Sequence, residues 1–274
     1  MAVEVVPQYG GGGMERVLIG ENNMPALLVW PETDLPRPAA LMQHGWTSCK
    51  EDFLPLALLL ATYGFVSLLP DAWGHGERLP ENGPSWKTER SADHFIDVVR
   101  HTSSDLRAAL GWLAEQPFVR TDALVVGGFS MGAMAALVTG TEDARVAAVV
   151  SVSGSPLPDM ANVTMLGENT PNAANQQWSR EHDAAANIAR LAPKPLLIQH
   201  GRHDDMVPVE GALRLYSAAR PHYADHPNHL ALMLYEHTHT VVEAQLRDAL
   251  AWLAPLFPEP ESPAHDNAPA HAEG

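Results

Sequence analysis

Gly128-Phe129-Ser130-Met131-Gly132 lies between an apolar run, Ala123-Leu124-Val125-Val126-Gly127, and a run of small, helix-favouring residues, Ala133-Met134-Ala135-Ala136-Leu137. This order predicts a buried strand, a sharp turn carrying one serine, and a helix. The outer glycines, Gly128 and Gly132, let strand and helix backbones approach closely. The turn holds Ser130 in a strained conformation with its hydroxyl exposed. The Met131 amide then sits at a helix N-terminus, where it can face a developing negative charge. A bare G-x-S-x-G also forms ordinary turns by chance. The strand before it and the helix after it make Ser130 a candidate nucleophile.

Strands and helices alternate around this stretch, which predicts a mostly parallel sheet with helices on both faces. The strands expected are Ala39–Gln43, Val66–Leu69, Ala123–Gly127, Val146–Val152, Pro195–Gln199 and Leu230–Tyr235. They are short apolar runs with little alternation, as buried parallel strands should be. Helices are expected at about 49–62, 91–116, 131–139, 209–219 and 241–256. Ser48-Cys49-Lys50-Glu51 and Thr240-Val241-Val242-Glu243 read as capping boxes at two of their starts. Residues 1–35 read as a short β-meander of Glu4–Tyr9, Glu15–Ile19 and Ala26–Trp30, with Gly10–Gly13 as a turn. Residues 155–190 hold several prolines and asparagines and read as either a small lid or a plain long loop. One domain over 1–257 is expected, followed by a disordered tail over 258–274, rich in Pro, Ala, His and acid.

The formal charge of −16 over 274 residues argues against a nucleic-acid or anionic-membrane partner. The N-terminal stretch lacks a basic region followed by a long apolar core, so no signal peptide is expected, and without an apolar run of ~18 residues no membrane span is expected either. Cys49 is the single cysteine, which rules out an intramolecular disulfide and fits a reducing, cytoplasmic compartment. A homodimer sharing a sheet edge is compatible with such a sheet, but no sequence feature selects an oligomeric state.

A serine becomes nucleophilic at neutral pH when a base takes its proton, and a carboxylate usually orients that base. In an open parallel sheet these groups come from loops at the carboxyl ends of strands. The loop His200-Gly201-Arg202-His203-Asp204-Asp205-Met206-Val207-Pro208 offers two adjacent carboxylates, which could equally be solvated loop charges. The last strand ends in Glu236-His237-Thr238-His239-Thr240. His239, just before the helix, is a reachable base, and His237 is closer to the strand and suited to packing. The H-x-H pair has no third ligand at clear spacing, so no metal is expected. An oxyanion needs two donors. Met131 offers one amide. Gln43-His44-Gly45-Trp46-Thr47-Ser48 follows another strand; Gly45 permits a tight path, and the Trp46 amide is the second candidate, unless Trp46 is simply a packed aromatic in a turn.

Taken together, these segments resemble the α/β-hydrolase family in their order of oxyanion loop, serine, acid and histidine. Within it the chain resembles small bacterial esterases related to dienelactone hydrolase and the prolyl-oligopeptidase catalytic domain. The resemblance covers roughly residues 24–256. It rests on His44-Gly45-Trp46, Pro70-Asp71-Ala72-Trp73-Gly74-His75-Gly76, the turn at Ser130, His200-Gly201 through Val207-Pro208, and the final histidine followed by Ala249-Leu250-Ala251-Trp252-Leu253. The family pattern H-G-x-x-D-x-x-V-P implies Asp204 rather than Asp205, and the pattern after the histidine implies His239. The resemblance thus implies an α/β-hydrolase fold with a short or absent cap and Ser130, His239 and Asp204 as nucleophile, base and orienter. Trp46 and Met131 would form the oxyanion hole.

The implied activity is hydrolysis of small neutral esters with short to medium acyl chains through an acyl-enzyme, without a cofactor. Thioesterase or aminopeptidase-like hydrolysis uses the same residues. A binding protein on the same scaffold is a further alternative, disfavoured by a complete set of three residues. Two departures matter. Dienelactone hydrolases use a cysteine nucleophile, and many relatives have glycine before the histidine where this chain has Thr238. Without a propeller domain a dedicated endopeptidase is not expected. Asp71, His75 and Arg78 read as a buried polar network forming the site wall, and Cys49 as a buried thiol. Met131, Met134, Met160 and Met165 read as core or lid packing, with an apolar acyl pocket as the alternative.

Overall fold

The computed structural model describes residues 12–33, 35–82, 85, 87, 91–157 and 170–258. Eight strands form one sheet among them: β1 Gly13–Ile19, β2 Met24–Trp30, β3 Arg37–Gln43, β4 Val66–Pro70, β5 Val119–Phe129, β6 Val146–Val152, β7 Leu196–Gly201 and β8 Leu230–Tyr235. Their order is β1-β2-β4-β3-β5-β6-β7-β8. β2 is antiparallel to β1 and β4, and all pairs from β4 through β8 are parallel. The parallel strands therefore end along one edge of the sheet, where loops 44–49, 130, 202–209 and 236–242 gather. The expected strands from Glu15 onwards are all present; the expected strand Glu4–Tyr9 lies outside the described residues.

The helices are α1 Leu54–Thr62, α2 Ala92–Ala114, α3 Met131–Glu142, α4 Ala173–Glu181, α5 Ile188–Leu191, α6 Glu210–Ala219 and α7 Glu243–Leu253. One apolar core joins a sheet face to α2, α3, α5 and α6, and a second joins the opposite face to α1 and α7. α3 is buried from Met131 through Thr141, as an almost wholly apolar helix must be. Met131 and Met134 belong to this core and not to an acyl pocket; Met160 and Met165 lie outside the described residues.

Both capping boxes are displaced from their expected positions. Cys49 precedes the first 3-10 turn, and its amide donates to Asp52 Oδ2 at 3.3 Å, as does the Ser48 hydroxyl at 2.6 Å. The last helix starts after Val242, whose amide donates to Gln245 Oε1 at 2.9 Å, so Thr240 is not the cap. In 155–190, residues 170–190 are not a plain loop. Asn172 caps α4, and Asp93 on α2 accepts from the Asn172 amide and the Asn175 side chain, both at 2.9 Å. The expected lid segment 158–169 lies outside the described residues, as does the tail from 259.

A buried lysine ties the oxyanion loop to its neighbours. Lys50 is 1% exposed, and its ammonium donates to Asp71 at 2.8 Å, Glu77 at 2.8 Å and Glu51 at 2.9 Å. The Lys50 and Glu77 amides also donate to Asp71. Burial works against the ammonium, but its hydrogen bonds to Asp71, Glu77 and Glu51 outweigh that effect and raise its pKa. Glu77, gripped by Arg16 and Lys50, is pulled down to about 2. Asp71 thus belongs to a structural network, as expected, and Arg78 joins it through the Asp71 carbonyl and Asp105. Removing one partner of a buried pair strands the other, at a cost of roughly 3–5 kcal/mol. Lys50→Met is expected to lower stability by about that much in urea denaturation. Lys50→Met/Asp71→Asn, which removes the stranded charge and keeps an acceptor for the Lys50 and Glu77 amides, should recover part of the loss, and a double variant no more stable than the single would contradict the pairing.

Candidate active site

The turn at Ser130 depends on two missing side chains. A Cβ on Gly132 would stand 2.2 Å from the Gln43 carbonyl oxygen and 2.5 Å from that of His44. One on Gly128 would stand 2.6 Å from the Gln43 oxygen. β5 and α3 can therefore press against the end of β3. Between them Ser130 adopts φ 55° and ψ −118°, a conformation that costs a non-glycine residue about 1–3 kcal/mol. Its surroundings hold it there: its amide donates to the Val152 carbonyl at 2.9 Å, and its carbonyl accepts the first helical bond, from Met134.

Loops after β7 and β8 carry the two partners. The Arg202 amide donates to the Tyr235 carbonyl at 2.7 Å and the His203 amide to that of His237 at 3.1 Å. A Cβ on Gly201 would stand 2.5 Å from the His237 oxygen, which explains a glycine after His200. With the loops so joined, His239 Nδ1 lies 2.7 Å from Asp204 Oδ2, and His239 Nε2 lies 3.0 Å from Ser130 Oγ. The carboxylate accepts, so Nδ1 carries the proton and Nε2 is free to accept the serine proton. Phe129 packs its ring on that of His239, centroids 4.8 Å apart.

Asp204 Oδ1 accepts the Met206 and Val207 amides at 3.1 and 2.8 Å. His200, fully buried on β7, lies 3.3 Å from Oδ2 through Nε2. The same nitrogen donates to the Val207 carbonyl at 2.8 Å, which fixes its proton there. Burial pushes the Asp204 pKa up, but the adjoining His200 ring and the hydrogen bonds from His239 and the Val207 amide prevail and hold it well below the usual carboxylate range. Asp205 beside it is exposed. His237 donates Nδ1–H to the Thr238 carbonyl at 2.6 Å and stacks on Tyr235. His200 is the site residue that sequence reading did not single out. Its place as the first residue of the strand-end H-G pair was the available signal.

His44 holds the loop after β3. Its Nδ1–H donates to the Gly45 carbonyl at 2.8 Å, and Nε2 accepts the Ala72 amide at 3.0 Å. Burial lowers its pKa, so both bonds suit the neutral ring. Gly45 passes beside the elbow: a Cβ there would lie 3.1 Å from the Phe129 ring and 3.5 Å from Ser130 Cβ. Trp46 is buried, its ring 5.1 Å from His75 and Phe95 and 5.7 Å from His94. Burial pushes His75 down to about 4, consistent with a wall rather than a proton carrier. Cys49 is half-buried rather than buried, and desolvation raises its thiol pKa. Among the described residues, no three His, Cys, Asp or Glu side chains form a metal-sized cluster, and no helix is long and apolar enough to cross a membrane.

Comparison with known proteins agrees with this geometry. The chain is 30% identical over 206 residues to Esterase YjfP of Escherichia coli (strain K12), covering 72% of this chain and 81% of that one. YitV of Bacillus subtilis (strain 168) is 28% identical over 227 residues, covering 78% and 88%. Among solved structures, TT1662 from Thermus thermophilus superposes with a TM-score of 0.74 at 25% identity, covering 88% of this chain and 96% of that one. Residues 57–257 match the model of the prolyl oligopeptidase family. The chain belongs to that family and is a serine hydrolase with the α/β-hydrolase fold.

Proposed function

We propose that this chain is a carboxylesterase acting through an acyl-enzyme on Ser130, with His239 as base then acid and Asp204 as its orienter. The hydrogen-bonded line from Asp204 Oδ2 through His239 to Ser130 Oγ, at 2.7 and 3.0 Å, carries this reading. The esterase named among its relatives supports the choice of an ester over other acyl compounds.

His239 Nε2 takes the serine proton as Oγ attacks the acyl carbonyl. The carbonyl oxygen becomes an oxyanion beside the start of α3, where the Met131 amide has no carbonyl four residues before it within the helix. The Trp46 amide, on the loop that His44 pins, is the second donor. Collapse of the tetrahedral intermediate breaks the bond to the alcohol, which leaves with the proton from His239. Water then attacks the acyl-enzyme, with His239 again taking a proton, and the carboxylic acid departs. Asp204 stays ionised throughout and favours the imidazolium in both halves. The residues on these steps need no cofactor, and small neutral esters with short to medium acyl chains are the proposed substrates.

Steady-state hydrolysis of p-nitrophenyl acetate tests the nucleophile. Ser130→Ala is expected to lose about 10⁴-fold or more in kcat while remaining folded. Equal turnover in wild type and variant would remove Ser130 from the mechanism. The same acyl group offered as oxygen ester, thioester and aminoacyl arylamide ranks the leaving groups, and a preference for the arylamide would make this a peptidase instead.

Asp204→Asn is expected to cost about 10⁴-fold in kcat by admitting the wrong tautomer of His239. It also carries a pH signature. The Asp204 pKa is lower folded than unfolded, so its stabilising effect is full above the unfolded value of about 3.9 and is lost as pH falls further. Wild type should therefore exceed Asp204→Asn in stability at pH 7, with the gap narrowing towards pH 3 in urea denaturation. A gap that widened with acid would contradict the charged assignment.

A further inference from the structure

Beside the turn at Ser130, between α1 and α7, lies a cavity of about 230 Å³ that opens to solvent past the exposed Asp52, Pro55 and Val241. Phe53 and Leu56 line it from one side, Leu246 from the other, and Met42, Phe129 and Val152 from the sheet. A smaller cavity of about 30 Å³ shares Met42, Leu56, Val152 and Leu246 with it and runs on towards Leu60 and Leu253. The one carboxylate at the larger cavity, Asp52, is already engaged by the Ser48 hydroxyl and the Cys49 amide. The lining thus offers an uncharged chain extensive apolar contact and a charged group no free partner.

Phe129 lines this cavity and directly precedes Ser130. Its ring also lies 4.8 Å from the His239 ring, and a Cβ on Gly45 would sit 3.1 Å from it. One aromatic side chain thus touches the cavity, the candidate base and the loop after β3.

We propose that the cavity is an alkyl subsite for the acyl group and that Phe129 is the residue limiting acyl length. The proposal rests on the acyl-enzyme reading above. The acyl chain is chosen over the alcohol because it stays bonded to Ser130 Oγ through both halves of the reaction, whereas the alcohol leaves after the first. A subsite that holds the acyl chain aligns the ester for attack and keeps the acyl-enzyme carbonyl in place for water. With Phe129 in its present position short acyl groups fit above the ring. Longer ones need the ring displaced or shortened.

Two substrate series test this on the full-length chain. One varies the acyl group from acetate to decanoate on p-nitrophenol, and the other varies the alcohol on a fixed acetyl group. Wild type, Phe129→Leu, Phe129→Ala and Phe129→Ala/Leu246→Trp are compared, each normalised to active sites counted by a fluorophosphonate probe. Phe129→Ala is expected to lose activity on acetate, because the ring also supports His239. Its kcat/KM ratio of octanoate to acetate should nevertheless rise, by roughly fourfold for each methylene newly buried. Phe129→Leu should fall between, and Leu246→Trp in the alanine background should return the ratio towards wild type by filling the cavity.

A shift in the alcohol series instead would overturn the acyl assignment. An acyl profile unchanged by Phe129→Ala, or a gain that survives filling the cavity, would overturn the gate. Counting active sites keeps misfolding from imitating either result. Failure of the parent reading looks different: wild type and Ser130→Ala would then hydrolyse acetate equally, whatever stands at 129.

Discussion

The approach of Gly132 to the carbonyl oxygens of Gln43 and His44 leaves no room for a methyl group, and the site is built around that contact. It fixes three things at once. The end of β5 is held against the end of β3, α3 starts where Met131 faces the sheet edge, and the loop carrying Gly45 and Trp46 passes within van der Waals range of Ser130. The positive φ of Ser130 persists because the elements on either side leave it no alternative. Gly201 repeats the device on a smaller scale, letting the loops after β7 and β8 share backbone hydrogen bonds and bring their side chains together. Backbone contacts assemble the site, and the reactive side chains are then inserted into a frame already closed.

Environment, not residue type, divides labour among the histidines. His44 has a carbonyl at one ring nitrogen and an amide proton at the other, which saturates it as a neutral strut. His200 gives its one proton to the Val207 carbonyl while leaning on Asp204. His75 donates to the Trp73 carbonyl and is held neutral by burial. Among these, His239 has a carboxylate at one nitrogen and a hydroxyl at the other, the arrangement in which gaining and losing a proton are both supported. Lys50 belongs to the same economy of buried charge. Set among Asp71, Glu77 and Glu51, it stiffens the segment that follows the oxyanion loop without touching the reacting atoms.

Much of this was legible in the sequence, for identifiable reasons. Parallel strands are contiguous apolar runs, so the buried Val146–Val152 and the half-buried edge strand Leu230–Tyr235 could both be bounded to the residue. The elbow was legible because close backbone approach demands glycine at fixed offsets from the serine. Helix caps were not, because Ser48 and Thr240 match a local pattern while the path of the preceding loop decides which amide lacks a partner. α4 escaped notice because it attaches to α2 through Asn172, Asn175 and Asp93 rather than through an apolar stripe. Lys50 sits in a polar string, Ser48 through Asp52, that reads as solvent-facing. Its burial depends on Asp71, which reaches it only after folding. The choice of Asp204 over Asp205 was likewise non-local: it rests on the amides of Met206 and Val207 and on two histidines, which together turn one of two adjacent carboxylates inward.

Those three donors to Asp204, with the His200 ring beside them, bear on how the site works. A buried carboxylate supplied with hydrogen bonds in advance is charged and immobile before any substrate arrives. In the proposed mechanism the movement required is thereby confined to the other end of the line, where one proton would shift between Ser130 Oγ and His239 Nε2. Phe129 acts on that same end, since its ring bears on the imidazole that must accept the proton. On the proposed acyl subsite, one aromatic ring both limits what enters and supports the base. Acyl selectivity and rate would then be coupled through Phe129, and widening the one by shortening the ring would loosen the other.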